Sequence, residues 1–207
     1  MDWVVFDVEI QKTIESLPRG WDQTEDMGVA VACLWEMRSE RMRIYGPNEL
    51  EELRSRLLRA DRISGFNIWK FDYPVVWGYS KKEWSTVPGP ATLFEETSAD
   101  NLKRLLAPKT DDALRRIWQS LGLNPDVFSD AHKGWGLDAV AKWTLNAGKI
   151  GNGADAPKWY QAGEIQRVAS YCADDVALER DLALFIEKYG YVVNNGKVLQ
   201  IKKWGGA

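Results

Sequence analysis

The order of apolar segments in the first third of the chain restricts the fold more than any other feature of the sequence. Residues 3–8 form a short apolar run, residues 28–35 form a second, and residues 41–45 alternate between polar and apolar side chains. Such segments predict β-strands, and three in succession favour an antiparallel meander. An amphipathic helix over 48–59 then leads to a fourth strand over 62–66. A helical crossover returns the chain in the same direction, so this strand is predicted to lie parallel to the first, in the mixed sheet of an α/β fold.

The rest of the chain carries mostly helical patterns. Residues 80–110 contain three prolines and one glycine and are interpreted as an irregular insertion. The glycine-rich stretch 148–157 predicts a flexible loop, and Asn195-Gly196 predicts a tight turn in a C-terminal β-hairpin over 191–203. We expect one domain over 1–207, with further helices at about 71–79, 99–106, 111–121, 136–147, 163–172 and 174–189.

Composition narrows the cellular setting. No apolar run approaches the ~20 residues that span a bilayer, and the N-terminus has no secretory signal pattern, so no membrane association is expected. Cys33 and Cys172 lie inside apolar segments and are interpreted as free buried thiols in a reducing compartment, which predicts a cytoplasmic location. The net charge of −3 does not indicate a polyanion-binding protein, yet residues 101–150 carry eight Lys and Arg against five acids. This local excess favours either phosphate contacts or a solvated helix face.

Two carboxylates lie in the first predicted strand. Asp7 and Glu9 are two residues apart, which sends both side chains to one face of the strand while Phe6 and Val8 take the other. Neighbouring buried acids raise each other's pKa, because ionising both costs free energy. A bound divalent metal would remove that cost. A frayed strand end facing water explains the same pair equally well.

Two further segments carry candidate residues. Asp72 follows the fourth strand near a helix start, five residues after Asn67, where an N-cap and a turn residue would also fit. Tyr171 and Asp175 are four residues apart and therefore share one helix face, whereas Asp174 points elsewhere and is expected to face solvent. Each segment alone is weak evidence for a functional site.

Together the three segments resemble the DEDD superfamily of 3′–5′ exonucleases, in its tyrosine-containing DEDDy branch. That branch includes polymerase proofreading domains and ribonuclease D-like enzymes. The motifs are Asp-x-Glu at 7–9, Asn-x3-Phe-Asp at 67–72 and Tyr-x3-Asp at 171–175, and the resemblance covers roughly residues 3–189. The histidine branch uses His-x4-Asp in its third motif, but position 137, five after His132, is a leucine. His132 is therefore interpreted as a loop residue near phosphate.

The resemblance implies a ribonuclease H-like fold, with a mixed five-stranded sheet flanked by helices. It also implies two Mg²⁺ or Mn²⁺ ions held by Asp7, Glu9, Asp72 and Asp175. Tyr171 would orient the attacking water, since a hydroxyl with a pKa near 10 is a poor base at neutral pH. For the substrate, Asn67 and Trp69 flank the second motif, and Trp135 and Trp159 are candidates to stack on bases, although core packing is the commoner role of tryptophan.

The predicted activity is metal-dependent 3′–5′ hydrolysis of a single-stranded nucleic acid with a free 3′ end, releasing nucleoside 5′-monophosphates. DNA is slightly favoured over RNA, because the chain shows no RNA-binding appendage. Two alternatives remain: a ribonuclease H-like endonuclease, which does not need Tyr-x3-Asp, and a catalytically silent nucleic-acid-binding module, which would be expected to have lost one of the acids.

Overall fold

A computed structural model describes residues 1–85 and 99–205 of the chain. The middle of the predicted insertion, residues 86–98, lies outside the described residues. The strands are β1 (Trp3–Ile10), β2 (Val29–Glu36), β3 (Arg41–Tyr45), β4 (Arg62–Gly65), β5 (Thr110–Asp112), β6 (Tyr191–Asn194) and β7 (Lys197–Gln200). The helices are α1 (Leu50–Arg59), α2 (Asp72–Trp77), α3 (Lys81–Ser85), α4 (Ala99–Leu106), α5 (Ala113–Ser120), α6 (Leu137–Leu145), α7 (Ala156–Gln161) and α8 (Ile165–Tyr189).

Five strands form one mixed sheet in the order β3-β2-β1-β4-β5. β1 pairs antiparallel with β2 and parallel with β4, and β2 pairs antiparallel with β3. β5 adds to the far edge, parallel to β4. The predicted meander, crossover and mixed sheet are confirmed, and helices flank the sheet as expected for a ribonuclease H-like α/β fold.

The central strand β1 separates two apolar regions. Phe6 and Val8 face a core that also contains Leu53 and Leu57 from α1. Val5 faces the opposite side, where it packs with residues of α8. Asp7 and Glu9 share the α8 side of the strand with Val5, because side chains alternate along an extended chain. The first motif therefore lies between the sheet and the last long helix.

Helix α8 is the main structural difference from the sequence prediction. Residues 165–189 form one continuous helix of 25 residues, so the predicted break between two helices at 173 is wrong. The segment contains no proline or glycine, and its buried positions continue through Cys172 and Val176. Packing of this long face against β1 and β2 stabilises the helix across the polar pair at 174–175.

Three other segments refine the prediction. The predicted helix start at 111 is wrong, because residues 110–112 form β5 before α5 begins at Ala113. The loop 148–157 ends in the short helix α7, which begins at Ala156 with a proline in its first turn. The C-terminal hairpin is confirmed, and both turn residues, Asn195 and Gly196, have positive φ.

Both cysteines are free and buried, as expected. Within the described ranges, no helix combines the length and the apolar character needed to cross a bilayer.

Candidate metal centre

Three carboxylates meet between β1 and α8. Asp7 and Glu9 project from β1 and Asp175 from the middle of α8, and one oxygen of each lies within 4.8 Å of the others. Glu9 is 6% exposed and Asp175 is 2% exposed. A frayed strand end facing water is therefore not what the structure shows. The three oxygens are close enough to bind one cation together.

Asp72 completes a group of four that we call the acid cluster: Asp7, Glu9, Asp72 and Asp175. It is the first residue of α2 and is 1% exposed. One of its oxygens accepts a hydrogen bond of 3.0 Å from the Val8 backbone N–H, and the nearby Asp7 carboxyl group helps to raise the pKa of Asp72. The structure thus brings the first, second and third motifs together in space.

Burial makes the acid cluster costly in its ionised form. Desolvation, reinforced by Asp175, raises the pKa of Asp7 to about 7. Desolvation and the neighbouring charge of Asp7 also raise the pKa of Glu9 and of Asp72 well above their usual ranges. A divalent cation would offset this repulsion, and an all-oxygen donor set suits hard cations such as Mg²⁺ and Mn²⁺. The residues present therefore fit a metal site.

Lys149 was not predicted as a site residue. Its Nζ lies 2.5 Å from Asp175 Oδ2. Burial disfavours the charged ammonium, but the Asp175 carboxylate outweighs it and raises the pKa of Lys149 overall. The local sequence of the glycine-rich loop does not indicate this ion pair, because only the fold brings Lys149 against α8.

Glu179 is a further buried acid near the acid cluster that the sequence analysis missed. It lies one turn beyond Asp175 on α8, is 4% exposed, and its Oε2 has no hydrogen-bond partner among the described residues. Burial, followed by the charges of Asp7 and Asp72, raises its pKa well above the usual range. Its spacing of four residues from Asp175 could have indicated its position, because residues i and i+4 lie on the same face of a helix.

Tyr171 lies beside the acid cluster with its ring 5% exposed. Its neighbours are the Lys149 ammonium, 5.2 Å from the ring centroid, and the Trp159 ring, which meets it edge to face at 5.7 Å. Burial raises the pKa of the Tyr171 hydroxyl above its usual value. The hydroxyl therefore keeps its proton at neutral pH, and among the described residues it has no hydrogen-bond partner. Trp159 supports Tyr171 here rather than lining the groove described below.

The loop before α2 is held by Asp112, another residue that the sequence analysis did not single out. Asp112 is 3% exposed and accepts hydrogen bonds from the backbone N–H groups of Asn67 and Trp69, both at 3.0 Å. It also caps α5 through the N–H groups of Leu114 and Arg115. Asn67 adopts a positive φ of 69° in this loop. One buried carboxylate thus fixes the path of the chain into Asp72.

We expect Asp112→Asn to lower the free energy of unfolding by about 2–4 kcal/mol, since an amide leaves at least one of the four N–H donors unmatched. Urea denaturation checks the stability, and hydrogen exchange at the Asn67 and Trp69 amides checks the loop. Asp130→Asn is the control, because Asp130 is 92% exposed and its loss should be nearly neutral. Unchanged stability and unchanged exchange in Asp112→Asn would contradict this role.

A groove of about 1090 Å³ runs past the acid cluster. Outside the cluster, its lining carries the two acids Asp22 and Asp126 and a larger number of basic side chains, the basic group Arg19, Lys70, Lys81 and Lys82 together with Lys149. Aromatic rings in its lining come from Trp21, Phe66, Phe71, Trp118, Phe128, His132 and Trp135. Basic and aromatic side chains in one groove are suited to phosphates and bases.

The four substrate candidates from the sequence fall in different places. Asn67 and Trp135 line the groove. Trp69 instead packs between Tyr73 and Trp84, with ring centroids 6.0 and 5.6 Å away, and Trp159 packs on Tyr171 as described. His132 is buried and also lines the groove.

The raised pKa of Asp7 predicts a falling stability with rising pH in metal-free protein. An unfolded Asp titrates near 3.8 and folded Asp7 near 7, so the folded state binds more protons between these values and loses stability as pH rises through them. For Asp7 alone the loss between pH 5 and pH 8 is about 2–3 kcal/mol. Thermal melts in chelator check this, and millimolar Mn²⁺ should restore stability at pH 8 but add little at pH 5. Melts that are insensitive to both pH and Mn²⁺ would be inconsistent with the metal site.

Comparison with known proteins gives a structural match only. No family model and no curated protein matches the chain. One matching solved structure is that of the family B DNA polymerase from the hyperthermophilic archaeon Pyrobaculum calidifontis. The match has a TM-score of 0.55 at 16% sequence identity and covers 90% of this chain but only 24% of the polymerase chain. At this identity the likeness establishes the fold, which agrees with the mixed sheet and flanking helices.

Proposed function

We propose that residues 1–207 form a metal-dependent 3′–5′ exonuclease domain that hydrolyses single-stranded nucleic acid to nucleoside 5′-monophosphates. The observation that carries the proposal is the acid cluster, in which oxygens of Asp7, Glu9 and Asp175 lie within 4.8 Å of one another and Asp72 accepts a hydrogen bond from the strand between Asp7 and Glu9. The adjoining basic and aromatic groove supports a nucleic-acid substrate. The match to a DNA polymerase is consistent with DNA, which we favour slightly over RNA.

The chain's own residues have distinct roles in this proposal. Asp7, Glu9, Asp72 and Asp175 would hold the metal, with Mg²⁺ or Mn²⁺ as the natural choices for oxygen ligands. Two such ions, when bound, supply Lewis-acid stabilisation to the attacking and leaving oxygens of an in-line displacement at phosphorus. The protonated Tyr171 hydroxyl lies next to Asp175 and can donate a hydrogen bond that orients the attacking water. Asn67 and Trp135 lie in the groove, where the terminal nucleotides would bind.

Lys149 has a different role in the same site. Its ammonium group balances part of the charge on Asp175 when the other acids are crowded and desolvated. Burial raises the pKa of Asp175, and the Lys149 ammonium acts in the opposite direction and favours the ionised carboxylate. A deprotonated carboxylate is the form that binds metal.

The test is digestion of matched DNA and RNA oligonucleotides labelled at the 5′ end, with Mg²⁺ and with Mn²⁺. A 3′–5′ exonuclease produces a ladder that shortens from the 3′ end and releases mononucleotides. A circular single strand is the control, because it offers no 3′ end. Rapid cutting of the circle would favour the ribonuclease H-like endonuclease. Absence of both cleavage and Mn²⁺ binding by calorimetry would favour a silent module.

A further inference from the structure

The segment 122–136, which we call the α5–α6 loop, forms one wall of the groove. It begins at the end of α5 and contributes Phe128, His132 and Trp135 to the groove lining. Val127 and Phe128 at its tip are 61% and 63% exposed. The Phe128 side chain therefore exposes an apolar ring to solvent in the same groove that the acid cluster lines.

The loop is ordered by the chain's single histidine. His132 is 5% exposed, and its Nε2 lies 3.0 Å from the Asn124 carbonyl oxygen, which can only accept a hydrogen bond. Nε2 therefore carries the proton, and Nδ1 accepts a hydrogen bond of 3.1 Å from the Ser129 backbone N–H. Trp118 adds a hydrogen bond from its indole N–H to the His132 carbonyl oxygen.

These contacts fix the direction of the Phe128 ring. The ring lies against His132, with centroids 5.6 Å apart and planes 32° from parallel, and meets Trp118 edge to face at 6.5 Å. Arg115 of α5 also ties the loop down through an ion pair of 2.7 Å with Asp126. One face of Phe128 is thus supported by a buried neighbour, while most of the ring stays open to solvent. A ring fixed in this way binds a flat partner without the cost of ordering a flexible loop.

The chemistry of the groove indicates the partner. The basic group Arg19, Lys70, Lys81 and Lys82 lines the same groove, where acids outside the cluster are fewer. Cations that track a phosphate backbone, combined with exposed aromatic rings, are how proteins bind single strands. Charge complementarity therefore favours a nucleic acid over an apolar peptide.

We propose that Phe128 is a stacking platform for one base of the single-stranded substrate, presented by the α5–α6 loop. This inference rests on the proposed nuclease function and adds a defined subsite to it. Since stacking uses the face common to all bases, the subsite contributes affinity and alignment with little sequence preference.

The test measures binding of a 5′-fluorescein-labelled 12-nucleotide single strand by anisotropy, with Ca²⁺ in place of the catalytic ion. We expect Phe128→Ala to weaken binding by roughly 5- to 100-fold. Phe128→Trp should retain wild-type affinity, because it keeps an aromatic face. Val127→Ala is the matched control, as its side chain is equally exposed but has no ring. Thermal melts verify that each variant is folded.

Strands with one abasic site make the test position-specific. Moving the abasic site stepwise from the 3′ end should reveal one position at which wild-type affinity drops and Phe128→Ala affinity does not. Equal affinities of wild type and Phe128→Ala, or an abasic penalty that is the same in both proteins at every position, would overturn the subsite while leaving the nuclease proposal intact. A wild-type protein that neither binds nor cleaves any single strand would overturn both.

Discussion

Asp7→Asn is expected to abolish cleavage of single-stranded oligonucleotides, with a loss of at least about 10³-fold in single-turnover rate. Asp7 lies in the acid cluster within 4.8 Å of Glu9 and Asp175, and its pKa is influenced by the carboxyl groups of Asp175 and Asp72. Loss of its charge would remove a proposed metal ligand, and metal ions contribute several kcal/mol to transition states of this kind. The same change should leave metal-free protein equally stable or more stable, because it removes a buried charge from among other acids.

The measurements are a single-turnover rate with Mn²⁺, calorimetric Mn²⁺ affinity and a melting temperature in chelator. Asp174→Asn is the matched control, since Asp174 is exposed next to Asp175 on the same helix. We expect the same pattern from Ala at Asp7, Glu9, Asp72 and Asp175. If two or more of these variants unfold the metal-free protein, the acids are structural and the site assignment fails.

Tyr171→Phe is expected to slow cleavage by about 10- to 1000-fold without changing Mn²⁺ affinity. Loss of one orienting hydrogen bond costs roughly 1.5–4 kcal/mol of transition-state stabilisation. The ring would still pack against Trp159, so the local fold should survive. Tyr160→Phe is the control, because Tyr160 packs in the same apolar cluster.

Asp175→Asn separates the two roles within the third motif. It should weaken Mn²⁺ binding and cost more in rate than Tyr171→Phe. Tyr171→His should retain some activity that increases as pH passes the imidazole pKa near 6.5, because a neutral imidazole accepts the proton of water. A wild-type rate for Tyr171→Phe would show that Tyr171 only packs.

The sequence was sufficient for the part of the fold that depends on regular patterns. The strands β1 to β4 were found because their apolar residues are continuous or alternate, and the crossover rule set the direction of β4. The hairpin turn followed from Asn195-Gly196, whose positive φ values suit these two residues. Asp174 was expected to face solvent and is exposed.

β5 was missed because its stability comes from partners distant in sequence. Its residues Thr110, Asp111 and Asp112 are polar, yet both aspartates are buried. Asp111 pairs with Arg62 of β4 and Arg116 of α5, and Asp112 binds the backbone of the loop before α2. Because its buried residues are polar, this strand lacks the alternation of apolar and polar residues from which a buried strand is predicted.

The acid cluster could be predicted only because three weak motifs occur in a recognised order. Lys149 and Asp112 belong to no such motif. Lys149 pairs with Asp175 and Asp112 binds the backbone of Asn67, and both contacts join residues that are distant in sequence. Phe128 was missed for a similar reason, since an apolar residue in a loop looks like a local packing residue until the groove is known. Trp69 packs against Trp84, a contact that its local sequence does not reveal, and its stacking role stays a prediction.

The position of α8 has a consequence for the order in which the protein matures. Two members of the acid cluster lie within the first ten residues, whereas Asp175 and Tyr171 come from the helix over 165–189. During synthesis, the early strands leave the ribosome long before their last ligand exists. A growing chain therefore lacks the complete acid cluster until α8 has folded back onto β1 and β2, so the proposed activity would be confined to chains that have reached that stage.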